Sequence, residues 1–557
     1  IVWMEDHNYY LLFNGEMYNH VELREKLANE GLVLESDSEA ELILALYNHE
    51  GKDFVKYVRG VFVFILWDKQ NKTLFCARDP FGVKSFYYME TGKGLYFASE
   101  TKSLFYSHEI KTKEVNLISL QDYLTYQYVP EPNTILKNIH ILEPGCTIEK
   151  KFGEEGTISI GRYWSIQFNP VKKNAYEKVQ EIRQALRGSV ENRMKGDAPI
   201  GSFLSGGIDS SIIVALASEI DPNIKTFTAG FEIDRYSEID LAREIAYELG
   251  VENISKVITP EDLVEEFPNI IWHMDVLVAD PSAIPLYFIS QEARRHVKVI
   301  LSGEGSDELF GGYNIYREPL SLSVFSYMPK SVKSGLMSIA NLIPEGVKGK
   351  SFIIRGCTPI EKRYVGNAHI FREDEKPRYL KKYDGSYTYD RVTEPYFEQV
   401  LEYDDITKMQ YIDMNTWLRG DILVKSERMT KAHSLELRMP FLDREVFEVA
   451  SGLTLEDKIK GKTTKYMLRE AFRDLLPREV SDRRKLGYPV PIRCWLKDEL
   501  YDWAVKIMKE SNTDEYIDKA EALKLIEEHR RGHIDNSRKI WVILTFMMWH
   551  KIFIETD

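Results

Sequence analysis

Phe203-Leu204-Ser205-Gly206-Gly207-Ile208-Asp209-Ser210-Ser211 is the stretch whose reading decides the fold. A short apolar run, Pro199 to Leu204, reads as a strand. A polar loop with two glycines follows, and the apolar pattern from Ile212 predicts a helix. A strand that feeds a glycine loop and opens a helix builds an anion site, because the loop amides and the helix N-terminus aim at one point. Gly206 and Gly207 let the backbone approach a phosphate with no side chain between. Ser205, Ser210 and Ser211 add hydroxyl donors. Asp209 suits such a site once a divalent metal is added, since a carboxylate beside phosphate oxygens is how Mg2+ is held. The plainer alternative is a capped helix after a strand, with Asp209 and Ser210 in its first turn.

The whole S-G-G-x-D-S-S string is more specific than its SGG. It resembles the pyrophosphatase loop of ATP-dependent enzymes that release PPi and leave an adenylated substrate. The other common ATP signature is missing. Gly349-Lys350-Ser351 and Gly461-Lys462-Thr463 imitate the end of a Walker A loop, but the upstream glycine is Pro344 in one and Glu456 in the other.

Outward from this loop, the pattern alternates. Val179 to Met194 predicts a helix, Lys225 to Phe231 a strand, Glu238 to Leu249 a helix and Ile254 to Ile258 a strand. Glu261 to Trp272 then predicts a helix and Val297 to Leu301 a strand. This predicts a parallel sheet with helices on both faces, whose ligands sit at the carboxyl ends of strands. Past Tyr313 the chain reads as helical, with Trp417, Trp495, Trp541 and Trp549 as anchors. Residues 166–175 carry no period and read as a linker. Before them, Tyr9 to Phe13, Val61 to Trp67, Lys72 to Ala77, Lys84 to Met89 and Gly94 to Ala98 predict an antiparallel sheet. Two helices, Val21 to Asn29 and Glu39 to Tyr47, fall between its first strands, and Asn14-Gly15-Glu16 reads as a turn.

The 557 residues fit two to four domains, and the composition, 44% hydrophobic and 29% charged, is that of a globular chain. The formal charge of −14 argues against a nucleic-acid or anionic-membrane surface. Cys76, Cys146, Cys357 and Cys494 lie far apart, which suits a reducing cytosol and gives no zinc pattern. No apolar run is long enough to span a bilayer, and no leader pattern is visible. The expectation is a cytoplasmic enzyme.

A second loop, Leu301-Ser302-Gly303-Glu304-Gly305-Ser306-Asp307-Glu308-Leu309-Phe310-Gly311-Gly312-Tyr313, follows the last predicted strand and faces the same mouth. Asp307 is a candidate to share Mg2+ with Asp209, and Glu304 a candidate general base. Lys485, in Arg483-Arg484-Lys485-Leu486-Gly487, is the candidate cation for the β/γ-phosphates and the departing pyrophosphate. Arg428, Glu436, Arg438 and Asp443 read either as a buried ion-pair network or as catalytic residues. Asn14 to Glu16 and Ser36 to Glu39 read as turn and capping box from physics alone.

Taken in order, these pieces resemble the glutamine-hydrolysing asparagine synthetase family over nearly the whole chain. The resemblance implies an α+β and α/β protein. Residues 1–167 would form an N-terminal-nucleophile-type glutaminase of stacked antiparallel sheets with helices. Residues 168–557 would form a parallel-sheet ATP-pyrophosphatase domain with a helical C-terminal part. It implies adenylation of L-aspartate by Mg-ATP, ammonia drawn from glutamine, and a possible homodimer. By position, Asn14 and Gly15 would form the oxyanion hole, while Glu16 and Asp37 would hold glutamine. Leu204, Ser205, Gly206, Gly207, Asp209, Ser210, Ser211, Ala229, Ser302 and Gly303 would bind ATP. Asp209 and Asp307 would hold magnesium, with Glu304 and Lys485 at the reacting centre. That family's glutaminase uses an amino-terminal Cys ahead of the Asn-Gly-Glu motif, and the sequence as written has none. The chain as written is therefore expected to use free ammonia. Val276-Leu277-Val278 replaces a run that is often acidic in the family and lies near the expected acceptor site. An amidotransferase acting on another carboxylate and a degenerate regulatory protein are the alternatives.

Overall fold

The computed structural model describes residues 2–5, 8–107, 113–153, 158–343, 347, 349–477, 480, 490–532 and 534–555. The first part is built on strands β1 (Val2–Glu5), β2 (Tyr9–Met17), β3 (Gly60–Asp68), β4 (Thr73–Arg78), β5 (Tyr87–Thr91), β6 (Gly94–Ala98), β7 (His140–Ile141), β8 (Cys146–Lys151) and β9 (Ser159–Arg162). Six of them pair antiparallel in the order β1-β2-β3-β4-β8-β9, and a second sheet runs β6-β5-β7. The unbroken apolar run of β3 has a simple cause: both its faces are covered. Phe62, Phe64 and Leu66 point into a core closed by the helices His20–Asn29 and Glu39–Glu50. Val63, one residue out of phase, joins Cys76 and Ile148 against Phe86, Tyr88 and Leu142 of the second sheet side. The layers are thus helices, sheet, sheet.

β2 corrects one expectation. Asn14-Gly15-Glu16 is not a turn; the strand runs through it to Met17, with Asn14 opposite Val63 and Gly15 opposite Phe62. A Cβ on Gly15 would lie 2.1 Å from the Val61 carbonyl oxygen, so this glycine serves close strand approach, not chain reversal.

The second part opens with a helix, Ala175–Arg193, after an irregular stretch. Strands β10 (Ile200–Phe203), β11 (Lys225–Phe231), β12 (Glu252–Ile258), β13 (Val299–Leu301) and β14 (Glu436–Arg438) form a wholly parallel sheet in the order β12-β11-β10-β13-β14. The chain leaves β10 towards one edge through β11 and β12, then returns to the other side as β13. The gap between β10 and β13 is therefore the topological switch point, where such sheets bind ligands. Two elements were not foreseen: the helix Ala283–Ala293 and the short edge strand β14. The helix after the glycine loop also begins at Ile208, not Ile212, which puts Asp209, Ser210 and Ser211 in its first turn. The rest is mainly helical, with Trp417, Trp495, Trp541 and Trp549 buried as expected. Among the described residues no helix is long and apolar enough to cross a membrane.

The two parts share one core. Phe81, Tyr87 and Leu124 belong to the same buried apolar cluster as Ile213, Phe267 and Trp541. Charges cross the same boundary. Asp443 takes Arg59 at 2.9 Å from the first part and Arg193 at 2.9 Å from the second. Arg428 reaches Glu100 at 3.3 Å, and Asp275 accepts from the amides of Thr101 and Lys102 at 2.6 and 2.8 Å. Arg428, Glu436, Arg438 and Asp443, read as a possible buried ion-pair network, do form ion pairs, in three bridges between the parts: Asp443 with Arg59, Arg428 with Glu100, and Arg438, beside Glu436, with Glu16.

Candidate functional site

A cavity of about 490 Å³ opens at the switch point. Its floor is the glycine loop. The Ser205 amide donates to the Ser210 hydroxyl at 3.0 Å, and the Gly207 amide to the Ser205 hydroxyl at 3.1 Å. The loop is thus held by its own hydroxyls. Leu204, Ser205, Gly206, Gly207, Asp209 and Ser210 all line the cavity, as do Ser302, Gly303, Glu304 and Asp307 of the second loop. The two loops touch: a Cβ on Gly303 would meet the Asp209 Cβ at 3.0 Å and the Ser210 amide at 3.1 Å. Two expected residues lie off the cavity wall. Ser211 is buried with its hydroxyl donating to the Gly207 carbonyl at 2.8 Å, because the helix starts early enough to turn it inward. Ala229 sits within β11, buried, opposite Lys256 of β12.

Asp209 and Asp307 come together around one cation. The Lys465 ammonium lies 2.5 Å from Asp209 Oδ1 and 2.8 Å from Asp307 Oδ1. The Ser306 hydroxyl also donates to Asp209 Oδ1, at 2.8 Å. Gly312 makes room for this group, since a Cβ there would lie 1.9 Å from Asp307 Oδ1 and 2.0 Å from Lys465 Cε. Lys465 was missed from the sequence. It follows the failed Walker imitation, and its reach into the site depends on a left-handed backbone, φ 53°, that no local signal gives away. Arg469, one helical turn on, lines the same end. Lys485 lies outside the described residues. Two carboxylates that share a single ammonium are hard oxygen donors spaced to bracket one cation, so the donor set fits Mg2+.

The far end of the cavity carries Lys425, Asp280, Arg538 and Asn367. Lys425 is buried and donates to Asp280 at 2.5 Å and to Asp421 at 3.1 Å. Burial works against ionisation of Asp280, but the charges of Lys425 and Arg538 outweigh it and hold the carboxyl below the usual range. Glu304 is half-buried and its charge acts on Lys425. Behind this end, the Tyr313 hydroxyl donates to Glu308 at 2.6 Å and accepts from the Trp417 indole at 3.1 Å. Burial, with Asp307 beside it, pushes the Glu308 carboxyl up to about 8. Val276, Leu277 and Val278 line a neighbouring gap of about 30 Å³ and not the main cavity.

In the first part, Asn14, Gly15 and Glu16 lie along β2. Glu16 pairs with Arg438 of β14, which also holds Glu436 at 2.7 Å. Burial and the neighbouring Glu436 push Glu16 up to about 7 against the pull of Arg438. Asp37 is exposed, on a loop that Arg24 fixes through the Ser36 and Ser38 carbonyls, both at 2.8 Å. It is Glu39, not Asp37, that reaches β2, accepting from the Met17 amide at 2.7 Å. Cys76 faces the inter-sheet core, and burial pushes its thiol far up, so it is no nucleophile.

A glycine loop at the switch point of a parallel sheet, with paired carboxylates and cations at one end of its cavity, defines a nucleotide-using ligase; the sandwich beside it is of the amidotransferase kind. Family models agree for both parts: Asparagine synthase matches residues 181–551 and Glutamine amidotransferase domain matches residues 2–164. Asparagine synthetase [glutamine-hydrolyzing] 1 of Bacillus subtilis is 50% identical over 551 residues, 99% of this chain and 87% of its own. The putative asparagine synthetase [glutamine-hydrolyzing] of Mycobacterium tuberculosis is 44% identical over 554 residues, 98% of this chain and 85% of its own. Amidase chyE of Penicillium rubens is 27% identical over 558 residues, 92% and 81%. The chain belongs to the asparagine synthetase family, whose members are ATP-using ligases that form carbon–nitrogen bonds.

Proposed function

We propose that the chain converts L-aspartate, ATP and free ammonia to L-asparagine, AMP and PPi, with residues 168–557 performing the ligation and residues 1–167 forming the glutaminase-type domain. The observation that carries this reading is the pair Asp209 and Asp307, brought from two loops to one cation at the head of a cavity whose other end holds Lys425 and Asp280. The glycine loop and the first turn of the Ile208–Ile220 helix cradle the triphosphate, while Ser302 and Gly303 flank it. The β-carboxylate of aspartate attacks the α-phosphorus; the bond to the bridging oxygen breaks and PPi departs. Lys465 and Arg469 meet the charge that grows on it, and such contacts help most when they strengthen in the transition state. Lys485 belongs to the same phosphate role. Ammonia then attacks the acyl carbon of β-aspartyl-AMP, AMP leaves, and Glu304 takes the proton that the new amide sheds. Asp209 and Asp307 would hold Mg2+, which supplies charge neutralisation on the phosphates. Asn14 and Gly15 supply the oxyanion contacts of glutamine hydrolysis, with Glu16 and Asp37 on its head group. The setting is cytoplasmic, and the assembly a homodimer.

The test is PPi release from Mg-ATP with L-aspartate and ammonium, with asparagine measured by mass spectrometry. Aspartate-dependent PPi and asparagine are expected, and both vanish in Asp209→Asn and Asp307→Asn while circular dichroism stays unchanged. Full activity in either variant would sink the metal assignment. The likeness to a protein named an amidase favours one second reading, amidation of a different carboxylate. PPi release with other carboxylates but not with aspartate would decide for it.

A further inference from the structure

We propose that Gln127 is a positioning residue for the acceptor. It holds Arg538 at the cavity, where the guanidinium takes the α-carboxylate of an amino-acid acceptor and Asp280 takes its α-ammonium. The inference rests on the ligation proposed above and adds how the acceptor is chosen.

Gln127 belongs to the first part by sequence, yet both its side-chain hydrogen bonds go to the second. It closes the helix Leu117–Tyr126 in a left-handed conformation, φ 64°, with its backbone amide donating to the Tyr123 carbonyl at 2.8 Å. The backbone performs that duty, and glycine or asparagine would meet it with less strain. The side chain is what calls for glutamine. It is fully buried, and its two ends face opposite chemistry. Arg538 can only donate, so the amide oxygen accepts from it. The amide nitrogen donates to Asp421 Oδ2 at 2.8 Å, and Asp421 Oδ1 accepts from Lys425 at 3.1 Å. A carboxylate at this position would repel Asp421, and a cation would repel Arg538. The Gln127 carbonyl also accepts from the Ala279 amide at 2.7 Å, one residue ahead of Asp280. One residue thus steadies Arg538, the partner of Lys425 and the segment that carries Asp280.

Arg538 and Asp280 both line the cavity. Arg538 is exposed there, and among the described residues no carboxylate pairs with it; its side chain is tethered by the neutral Gln127 amide. A guanidinium held through one nitrogen keeps its charge and its other N–H groups for an anion. Asp280 accepts from Lys425 and, at 3.0 Å, from the Ser282 amide, and the charges of Lys425 and Arg538 keep it ionised. A carboxylate beside a guanidinium with no acid of its own matches the two charges of an α-amino acid. Phosphate has cations elsewhere, since Lys465 and Arg469 stand at the end with Asp209 and Asp307.

The test compares L-aspartate with its α-methyl ester, which keeps the β-carboxylate and loses the α-charge. PPi release by the full chain is followed with ammonium as the nitrogen donor. The wild type is expected to prefer aspartate about 10- to 100-fold in kcat/KM, the worth of one charge-assisted contact. Arg538→Met removes that preference and raises the KM for aspartate as much. Gln127→Met raises it about tenfold and leaves the KM for ATP as it was. Gln127→Glu keeps the side-chain size, gives Arg538 a carboxylate and costs the same. Gln127→Met added to Arg538→Met weakens aspartate less than about twofold further, because it acts through that guanidinium. Calorimetric titration of L-aspartate with Mg2+ and a non-hydrolysable ATP analogue reads binding without turnover. Binding that the variants weaken, in a chain that releases no PPi, sinks the ligation and leaves this inference standing. PPi release from aspartate with preference and KM intact in Arg538→Met, or in both Gln127 variants, overturns this inference alone. Full additivity of Gln127→Met with Arg538→Met overturns it too, as does a wild type that binds no aspartate.

Discussion

Lys465 carries the most weight of any single residue at the site. Its ammonium neutralises two carboxylates that would otherwise repel each other across a partly buried gap, and in the proposed reaction it stands on the path of the departing pyrophosphate. Lys465→Met is expected to slow PPi release roughly 10²- to 10³-fold, the cost of removing one preorganised charge from a transition state. It also leaves Asp209 and Asp307 facing each other, so its melting temperature in EDTA should fall and recover with Mg2+; a variant indifferent to Mg2+ in thermal scans would argue that the carboxylates do not share a metal. Glu308 offers a second reading at this scale. Its folded pKa of about 8 lies above the unfolded value of 4.5, so its contribution to stability is complete below pH 4.5 and is lost as pH rises through 8. Thermal scans of the wild type should therefore slope downward from pH 6 to 9, and Glu308→Gln should flatten that slope. That Asp209, Asp307 and Glu304 would face one mouth was legible in the sequence, because each belongs to a glycine loop set directly after a buried strand of the same parallel sheet. Lys465 was not legible, because a lysine near a glycine is common and only the folded backbone turns this one inward.

At the scale of elements, the long periodic segments could be read directly, and the short ones needed partners. β11 was bounded to the residue and the helix after it to within one at each end, since each has its own period and its own stops. β14, three residues long, has no period of its own; pairing with β13 makes it a strand. Asn14-Gly15 misled for the opposite reason. Asn-Gly is among the strongest local turn signals, yet tertiary pairing with β3 overrides it. That override makes a prediction. If Gly15 served a turn, alanine would cost about 1–2 kcal/mol of left-handed backbone strain; because it serves close approach, Gly15→Ala must also drive a Cβ to within 2.1 Å of the Val61 carbonyl and force β2 from β3. A loss of about 3 kcal/mol or more is expected in urea unfolding, at or beyond the upper end of the usual cost of overpacking.

The whole molecule is two architectures that share a boundary too polar to be only a core. The first part has two apolar cores of its own, one under its helices and one between its sheets, so it has the means to stay folded when the boundary fails. What joins it to the second part is the large mixed cluster together with the ion pairs of Asp443, Arg428 and Arg438. Asp443 is the most exacting of these, fully buried between Arg59 and Arg193. Burial raises the cost of its charge, and the two guanidinium groups hold its carboxyl below the usual range. Its contribution is thus present above the unfolded pKa and lost as pH falls. Buried pairs often add little over apolar packing, but removing one partner strands the other, at about 3–5 kcal/mol. Asp443→Asn strands Arg193 and leaves Arg59 with Glu445 as its one remaining acidic partner among the described residues, and so acts on the boundary more than on either fold. Calorimetry of the wild type at neutral pH should show one cooperative transition, because the parts unfold together. In Asp443→Asn that transition should split, with the first part, followed by tryptophan fluorescence of Trp67, melting apart from the second. Acidification of the wild type should reproduce the split as the Asp443 carboxylate is protonated. A single shifted peak in the variant would mean that the apolar cluster alone couples the parts, and that the charges at the boundary set its alignment without holding it closed.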